Sequence, residues 1–225
     1  MVLVYLAIIV IAYLIGAIPV GGLVAGSRHI DLRKHGSGKL GTTNVLRVVG
    51  RRAAAVVLLG DFLKGSLAVW LGRVIASAFI TPGARVGFLD EAVSVLTLAS
   101  LFAAAAAICG HVASIYMRLL TGDWGGGRGV ATAMGAMLVV NPLITIVALA
   151  VGIPTVIISR YVSLGSILGT TAGALVILLL VLTGQMNVLS LLFLSLAAFI
   201  IIAHRDNIDR LMKGTERKVD ERVKV

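Results

Sequence analysis

Six apolar stretches dominate this chain, at residues 2–24, 53–78, 92–117, 130–158, 164–182 and 188–203. A helix needs about 20 apolar residues to cross the ~30 Å hydrocarbon layer of a bilayer, and most of these stretches meet that length. Hydrophobic residues make up 59% of the 225 and charged residues only 13%, too few ionic groups to cover a soluble fold of this size. The fourth stretch exceeds one span. Its Asn141-Pro142 pair is a turn signal, and the residue before a proline is driven out of helical geometry. The stretch is therefore expected to divide into a short helix over 130–140 and a second starting at Pro142. The first stretch has no basic leader and spans a full helix, so it reads as retained rather than as a signal peptide. The resulting expectation is an all-α, multi-pass membrane helical bundle of about seven transmembrane helices, forming a single integral membrane domain over residues 1–225 in the lipid bilayer.

The cations orient that bundle. Between the first two spans lie Arg28, Arg33, Lys34, Lys39, Arg47, Arg51 and Arg52; Arg118 and Arg128 separate the third and fourth, and Arg160 the fifth and sixth. The tail carries Arg205, Arg210, Lys213, Arg217, Lys218, Arg222 and Lys224, whereas the opposite side receives only Arg73 and Arg85. Short cytoplasmic loops are enriched in Lys and Arg. The N-terminus is accordingly expected outside and the C-terminus in the cytoplasm, with cytoplasmic loops at about 27–52, 118–129 and 159–163 and a cytoplasmic tail at 204–225. The net charge of +10 suits an anionic membrane surface or phosphorylated ligands rather than nucleic acid. The single cysteine, Cys109, excludes an intramolecular disulfide, and no Cys/His cluster has the spacing of a zinc site. Neither metal nor cofactor is expected.

The unusual loops all fall on the cation-rich face. HGSGKLGTTNVLR, residues 35–47, sets Gly36, Gly38 and Gly41 among Ser37, Thr42, Thr43 and Asn44. Glycines let the backbone turn and expose amides to an oxyanion; a solvated turn with capping hydroxyls is the alternative. GDWGGGRGVATAMG, residues 122–135, places Gly125, Gly126, Gly127, Arg128 and Gly129 immediately before a helix. A helix N-terminus with free amides and an adjacent guanidinium binds phosphate readily; a flexible linker is the alternative. The spacing of a P-loop is absent. In AHRDNIDRLMKG, residues 203–214, His204, Asn207 and Leu211 share a helix face, and Asp206 with Arg210 and Asp209 with Lys213 are expected as i,i+4 pairs. Asp61 and Lys64 lie one turn apart inside a span, either as a structural ion pair or as part of a site.

Together these segments resemble the bacterial, membrane-integral acyl-phosphate:glycerol-3-phosphate acyltransferases. HGSGKLGTTNVLR is similar to that family's first motif, GDFLKG at residues 60–65 to the helix after it, Gly110 and His111 with GGRGVATAMG to the second, and HRDNIDRL with Gly214 and Glu216 to the third. The resemblance implies transfer of a fatty acyl group from acyl phosphate to the sn-1 hydroxyl of glycerol 3-phosphate, giving lysophosphatidic acid for phospholipid biosynthesis at the cell inner membrane. It implies no covalent nucleophile, and a substrate phosphate that takes the proton. Carried over by position, it nominates Ser37, Arg47, His204 and Asn207 as catalytic. Gly36, Gly38, Asn44, Gly126, Gly127, Arg128 and Gly129 become phosphate-binding, with Asp61, Lys64, His111 and Glu216 in support and the site facing the cytoplasm. Where the family usually has Lys-Gly-Gly-Lys-Gly, this chain has Gly125-Gly126-Gly127-Arg128-Gly129, and Lys39 stands where an Asn is usual.

Other classes compete. A divergent paralogue would keep the fold with altered chemistry. A small transporter for a phosphorylated metabolite would place polar groups near mid-membrane, and a headgroup transferase would need a cluster of Asp for Mg²⁺. Here the polar residues crowd one face, and only Asp61 lies in a span.

Overall fold

A computed structural model of the chain describes residues 1–80, 85–88 and 91–223. Helices α1 (Val2–Ala17), α2 (Val20–Gly26), α3 (Thr42–Val48) and α4 (Arg51–Phe79) are followed by an antiparallel hairpin of β1 (Arg85–Phe88) and β2 (Glu91–Ser94). Then come α5 (Val95–Val112), α6 (Ile115–Thr121), α7 (Val130–Val140), α8 (Pro142–Ser159), α9 (Val162–Leu182), α10 (Phe193–Ala203) and α11 (Arg205–Met212). The protein is an all-helical membrane bundle with this one small hairpin.

Two apolar stretches that read as single helices are interrupted. Pro19, which has no N–H to donate, separates α1 from α2. Ser114 separates α5 from α6: its Oγ accepts from Met117 N at 3.3 Å and donates to Ala17 O at 2.5 Å. Counting such pairs as continuous, five segments are long and apolar enough to cross a membrane, Val2–Gly26, Arg51–Phe79, Val95–Thr121, Pro142–Ser159 and Val162–Leu182. The segment Val188–Ala203 makes a sixth only when α11, bent by 54° against it, is counted with it. The remaining one, α7, has 11 residues; at 1.5 Å per residue it is about 16 Å long, roughly half the hydrocarbon thickness. Asn141 ends it, and its Oδ1 accepts from Leu143 N at 3.0 Å to start α8 with Pro142 in the first turn.

Lipid is as apolar as leucine, so helices in a bilayer associate through close packing and polar contacts between them. Small residues supply that packing here. Gly16 and Gly110 bring α1 against α5, Gly65 and Gly135 bring α4 against α7, and Gly152, Gly165 and Gly169 join α8 to α9; a Cβ at any of them would run into the neighbouring helix. Ser66 Oγ donates to Gly135 O at 2.8 Å and Thr145 Oγ1 to Met134 O at 3.0 Å. Large side chains such as Trp70, Phe79, Ile158 and Leu182 project outward instead. A second apolar cluster, built on Leu32, Leu40, Val45, Val57 and Met117, anchors the loop and α3 to the bundle.

Candidate active site

At the loop end of the bundle a cavity of about 250 Å³ is lined by residues from all three motifs: Ser37, Asn44, Arg47, Arg128, Gly129, His204, Asn207 and Glu216, together with Asp61 and His111. Asp61 sits ten residues into α4, about 15 Å from its Arg51 end, so the cavity reaches well below that end of the bundle.

The first loop is organised by Asn44. Its Oδ1 accepts from Ser37 N at 3.0 Å, and its Nδ2 donates to Lys39 O at 2.9 Å, His35 O at 3.1 Å and, more weakly, Leu32 O at 3.4 Å. This amide is spent on its own loop, so Asn44, expected as a phosphate ligand, instead shapes the turn. Gly36 and Gly38, with φ of 64° and 69°, adopt the left-handed backbone that turn requires; neither lines the cavity. Arg47 is buried, and its Nη2 donates to Arg217 O at 2.7 Å and Lys218 O at 3.3 Å.

The glycine loop is held by contact. Gly127 N donates to His111 O at 3.1 Å, and Leu40 N of the first loop donates to Gly126 O at 3.1 Å. A Cβ on Gly126 would strike the His111 and Val112 carbonyls, and one on Gly127 the His111 ring. Gly126 and Gly127 lie behind the main cavity, beside a small cleft they share with Asp61, Lys64 and His111. Gly129, at φ 86°, opens α7 without a side-chain cap. Arg128 Nε donates to Ala203 O at 3.2 Å, and the rest of its fork has no partner among the described residues.

Asp61 pairs with Lys64 at 2.8 Å, and His111 Nδ1 lies 3.5 Å from the same carboxylate oxygen. Lys64 Nζ also donates to Ile18 O at 2.8 Å, a carbonyl at the Pro19 break that accepts from Val20 N as well. Lys64 thus ties α4 to the end of α1, and Asp61 is among the residues that line the cavity.

In the third motif the expected Asp209–Lys213 pair forms at 2.9 Å, but Arg210 does not pair with Asp206. Its Nε donates to Glu216 Oε2 at 2.7 Å, because the chain turns back after α11 and brings Glu216 inward. Glu216 also accepts from Asn207 Nδ2 at 2.7 Å and Ser163 Oγ at 2.9 Å. Burial raises the Glu216 carboxyl, and these hydrogen bonds outweigh it, leaving its pKa below the ordinary value. His204 Nδ1 faces Ile200 O at 2.8 Å. A carbonyl only accepts, so Nδ1 carries the proton and Nε2 is the free lone pair. Burial lowers the His204 pKa, and the Arg128 charge lowers it further against the pull of that carbonyl.

Arg210, Ser163, Ser166, Thr42, Thr43 and Lys39 also line the cavity, beyond the residues nominated from the sequence. Ser163 and Ser166 carry a faint signal, two hydroxyls one turn apart where an apolar stretch begins. Arg210 shows none, since its partner lies beyond the helix. An apolar groove of about 370 Å³ runs on between α7, α8, α9 and α10 and shares Leu58, Val130, Met134, Val162 and Ser166 with the polar cavity.

A cation-lined cavity joined to an apolar groove suits a ligand with an anionic head and a fatty tail, and comparison with known proteins agrees. The family model described as glycerol-3-phosphate acyltransferase matches residues 6–214. The glycerol-3-phosphate acyltransferase of Clostridioides difficile (strain 630) is 40% identical over 219 residues, covering 97% of each chain. That of Thermoanaerobacter sp. (strain X514) is 36% identical over 217 residues, covering 96% of each. The crystal structure of PlsY (YgiH), an integral membrane glycerol 3-phosphate acyltransferase, in its glycerol 3-phosphate form superposes with a TM-score of 0.76 at 31% identity, over 95% of this chain and 94% of that one. Its lysophosphatidic acid form gives 0.74 at 30%, with the same coverage. With sequence, length and bundle all in register, the chain belongs to the glycerol-3-phosphate acyltransferase family.

Proposed function

We propose that the protein moves a fatty acyl group from acyl phosphate to the sn-1 hydroxyl of glycerol 3-phosphate, at a site facing the cytoplasm. The observation that carries this reading is that the polar cavity and the apolar groove lie against each other, sharing Val130, Met134, Val162, Ser166 and Leu58 in their walls. The acyl tail lies in the groove, which sets the mixed anhydride at the junction, beside Arg128 and the open N-terminus of α7. Glycerol 3-phosphate, which gives its name to one solved form of the relative PlsY (YgiH), enters from the loop side against Ser37, Lys39 and Arg47. The hydroxyl oxygen attacks the acyl carbon, the carbon–oxygen bond to phosphate breaks, and the hydroxyl proton leaves on a phosphate oxygen. The residues hold two anions in line and stabilise the charge that grows on the departing phosphate. His204 Nε2 and Asn207 lie where they orient the attacking hydroxyl.

Purified protein in detergent or a lipid mesophase, given acyl phosphate and glycerol 3-phosphate, should release phosphate and form lysophosphatidic acid. Product formed equally well from acyl-CoA would overturn the donor assignment. Orientation is tested by cysteines in a chain lacking Cys109. One at Asp123, which is exposed, should label from the cytoplasmic side, and one at Gln185 from the other; labelling of both from one side would overturn the proposed orientation. Gly126 is unsuitable for such labelling because it is buried against carbonyls.

A further inference from the structure

After α11 the chain turns at Gly214, with φ of 68°, and runs back along the loop end of the bundle. In this tail Glu216 is buried and Val219 and Val223 are half-buried, while Arg217, Lys218, Asp220, Glu221 and Arg222 are exposed. Each inward residue is fastened to a different part of the protein. Glu216 accepts from Ser163, Asn207 and Arg210. Val219 N donates to Arg160 O at 2.8 Å, and Asp220 pairs with the Arg160 guanidinium, which ties the tail to the junction of α8 and α9. Val223 packs against the apolar cluster of Leu32, Val45 and Val57, and its N–H donates to Arg47 O at 3.1 Å. Between these anchors the tail meets the Arg47 side chain, whose Nη2 donates to Arg217 O at 2.7 Å and Lys218 O at 3.3 Å. Arg47 is therefore gripped at both ends, its guanidinium by tail carbonyls and its own carbonyl by the tail's last anchor. Its Nε is buried and has no partner among the described residues.

We propose that residues 217–223 form a positioning strap for Arg47, which holds its guanidinium in the cavity wall before any ligand arrives. This rests on the place of Arg47 in the proposed reaction and deepens it. A long cationic side chain has many rotamers, and one left loose must be ordered each time it meets an anion; a side chain held beforehand has that ordering behind it. The kind of partner matters too. Arg210 is paired with a carboxylate, which cancels its charge, whereas the strap offers Arg47 only main-chain carbonyls, which orient the fork and leave its full charge in place. The exposed cations of the tail are not what the strap supplies, because its hold on Arg47 is made by main-chain groups and its anchors are Val219, Asp220 and Val223.

The test is a double-mutant cycle on the full-length protein, read by steady-state kinetics and by the rate at which phenylglyoxal modifies Arg47, located by mass spectrometry. Loosening the three anchors together, Val219→Gly, Asp220→Ser and Val223→Gly, should lower kcat/KM by about tenfold, the low end for a hydrogen bond to a charged group. In an Arg47→Ala background the same three changes should cost less than about twofold, because a strap that acts through Arg47 has nothing left to hold. Val223→Pro, which removes the N–H that holds Arg47 O, should give a smaller loss that also vanishes in Arg47→Ala. Phenylglyoxal should modify Arg47 faster in the loosened tail, a readout that does not depend on turnover. Arg217→Ala with Lys218→Ala should stay within about twofold of the wild-type kcat/KM, since both carbonyls remain. Equal losses in the wild-type and Arg47→Ala backgrounds would overturn the proposal. So would an unchanged phenylglyoxal rate in the loosened tail, or a tenfold loss on removing the two side-chain charges. If the loosened tail does not fold, Val223→Pro decides by the same two readouts. Wild-type kinetics in Arg47→Ala would instead count against the part Arg47 has in the proposed reaction, and the phenylglyoxal rates would still decide whether the tail holds its side chain.

Discussion

The first loop and the glycine loop touch each other across Leu40 and Gly126, yet they keep their shapes by opposite means. In the first, a single buried amide, Asn44, gathers four backbone groups. In the second, Gly126 and Gly127 are held by backbone hydrogen bonds and by contact with the His111 ring, where a Cβ would collide. A loop fixed by one side chain fails when that side chain is lost, and a loop fixed by close approach fails when a methyl group is added.

The sharpest way to break this contrast is Asn44→Ala. It leaves buried carbonyls and the Ser37 amide unpaired, at about 1–3 kcal/mol for each such group. Turnover should drop by more than about 100-fold, with faster proteolysis in the first loop; a rate within tenfold of wild type would show that the loop keeps its shape without the amide. Next in size is Gly126→Ala, whose methyl meets two backbone carbonyls that cannot rotate away, with an expected loss of about 30-fold or more, on the scale of overpacking by roughly 2 kcal/mol. Gly127→Ala should cost less, because the His111 ring can shift, and steady-state rates for the two alanines give the order directly.

Arg128→Ala should lower kcat/KM by about 10- to 150-fold, the range for a hydrogen bond to a charged group, with Arg128→Lys retaining a substantial part. It carries a second signature. Burial and the Arg128 charge both hold the His204 pKa below its ordinary value, so the neutral imidazole persists below the usual histidine range of about 6.5. Activity that needs free Nε2 is fully present above that range and fades as pH falls through the lowered folded pKa; any stability linked to this histidine is lost in the same direction. Removing Arg128 should shift the acid limb of the pH-rate profile to higher pH, and an unmoved limb would separate His204 from the rate. The smallest effect is expected at Gly125. Gly125→Ala should leave kcat/KM within about twofold, since its methyl finds ordinary contacts, and a large loss there would erase the distinction between this glycine and the next two.

Most helices and the gathering of the motif residues were legible in the sequence, because apolar length marks helices and glycine beside Ser, Asn or Arg marks loops with exposed amides. Three features were not. Pro19 breaks an apolar stretch that reads as one helix, and the break is met by Lys64, which donates to Ile18 O from 46 residues along the chain. The partner of Arg210 is set by a reversal of the chain after α11, which no i,i+4 spacing encodes. Asn44 looked like a ligand because its type suits an anion, and only the folded loop shows its amide already engaged.

The short α7 has a consequence for side reactions. Because this helix covers only about 16 Å before Asn141 turns the chain, its N-terminus and Arg128 lie sunk within the bundle beside Asp61 rather than at the level of Arg51. In the proposed reaction, an energy-rich anhydride drawn to that depth by its tail would leave bulk solvent before it reached the bond-making atoms. Hydrolysis, the wasteful fate open to any acyl phosphate, is then short of its nucleophile, while an alcohol delivered on a phosphate handle is not. On that reaction, the depth of the meeting point would favour ester formation over simple loss of the activated acyl group.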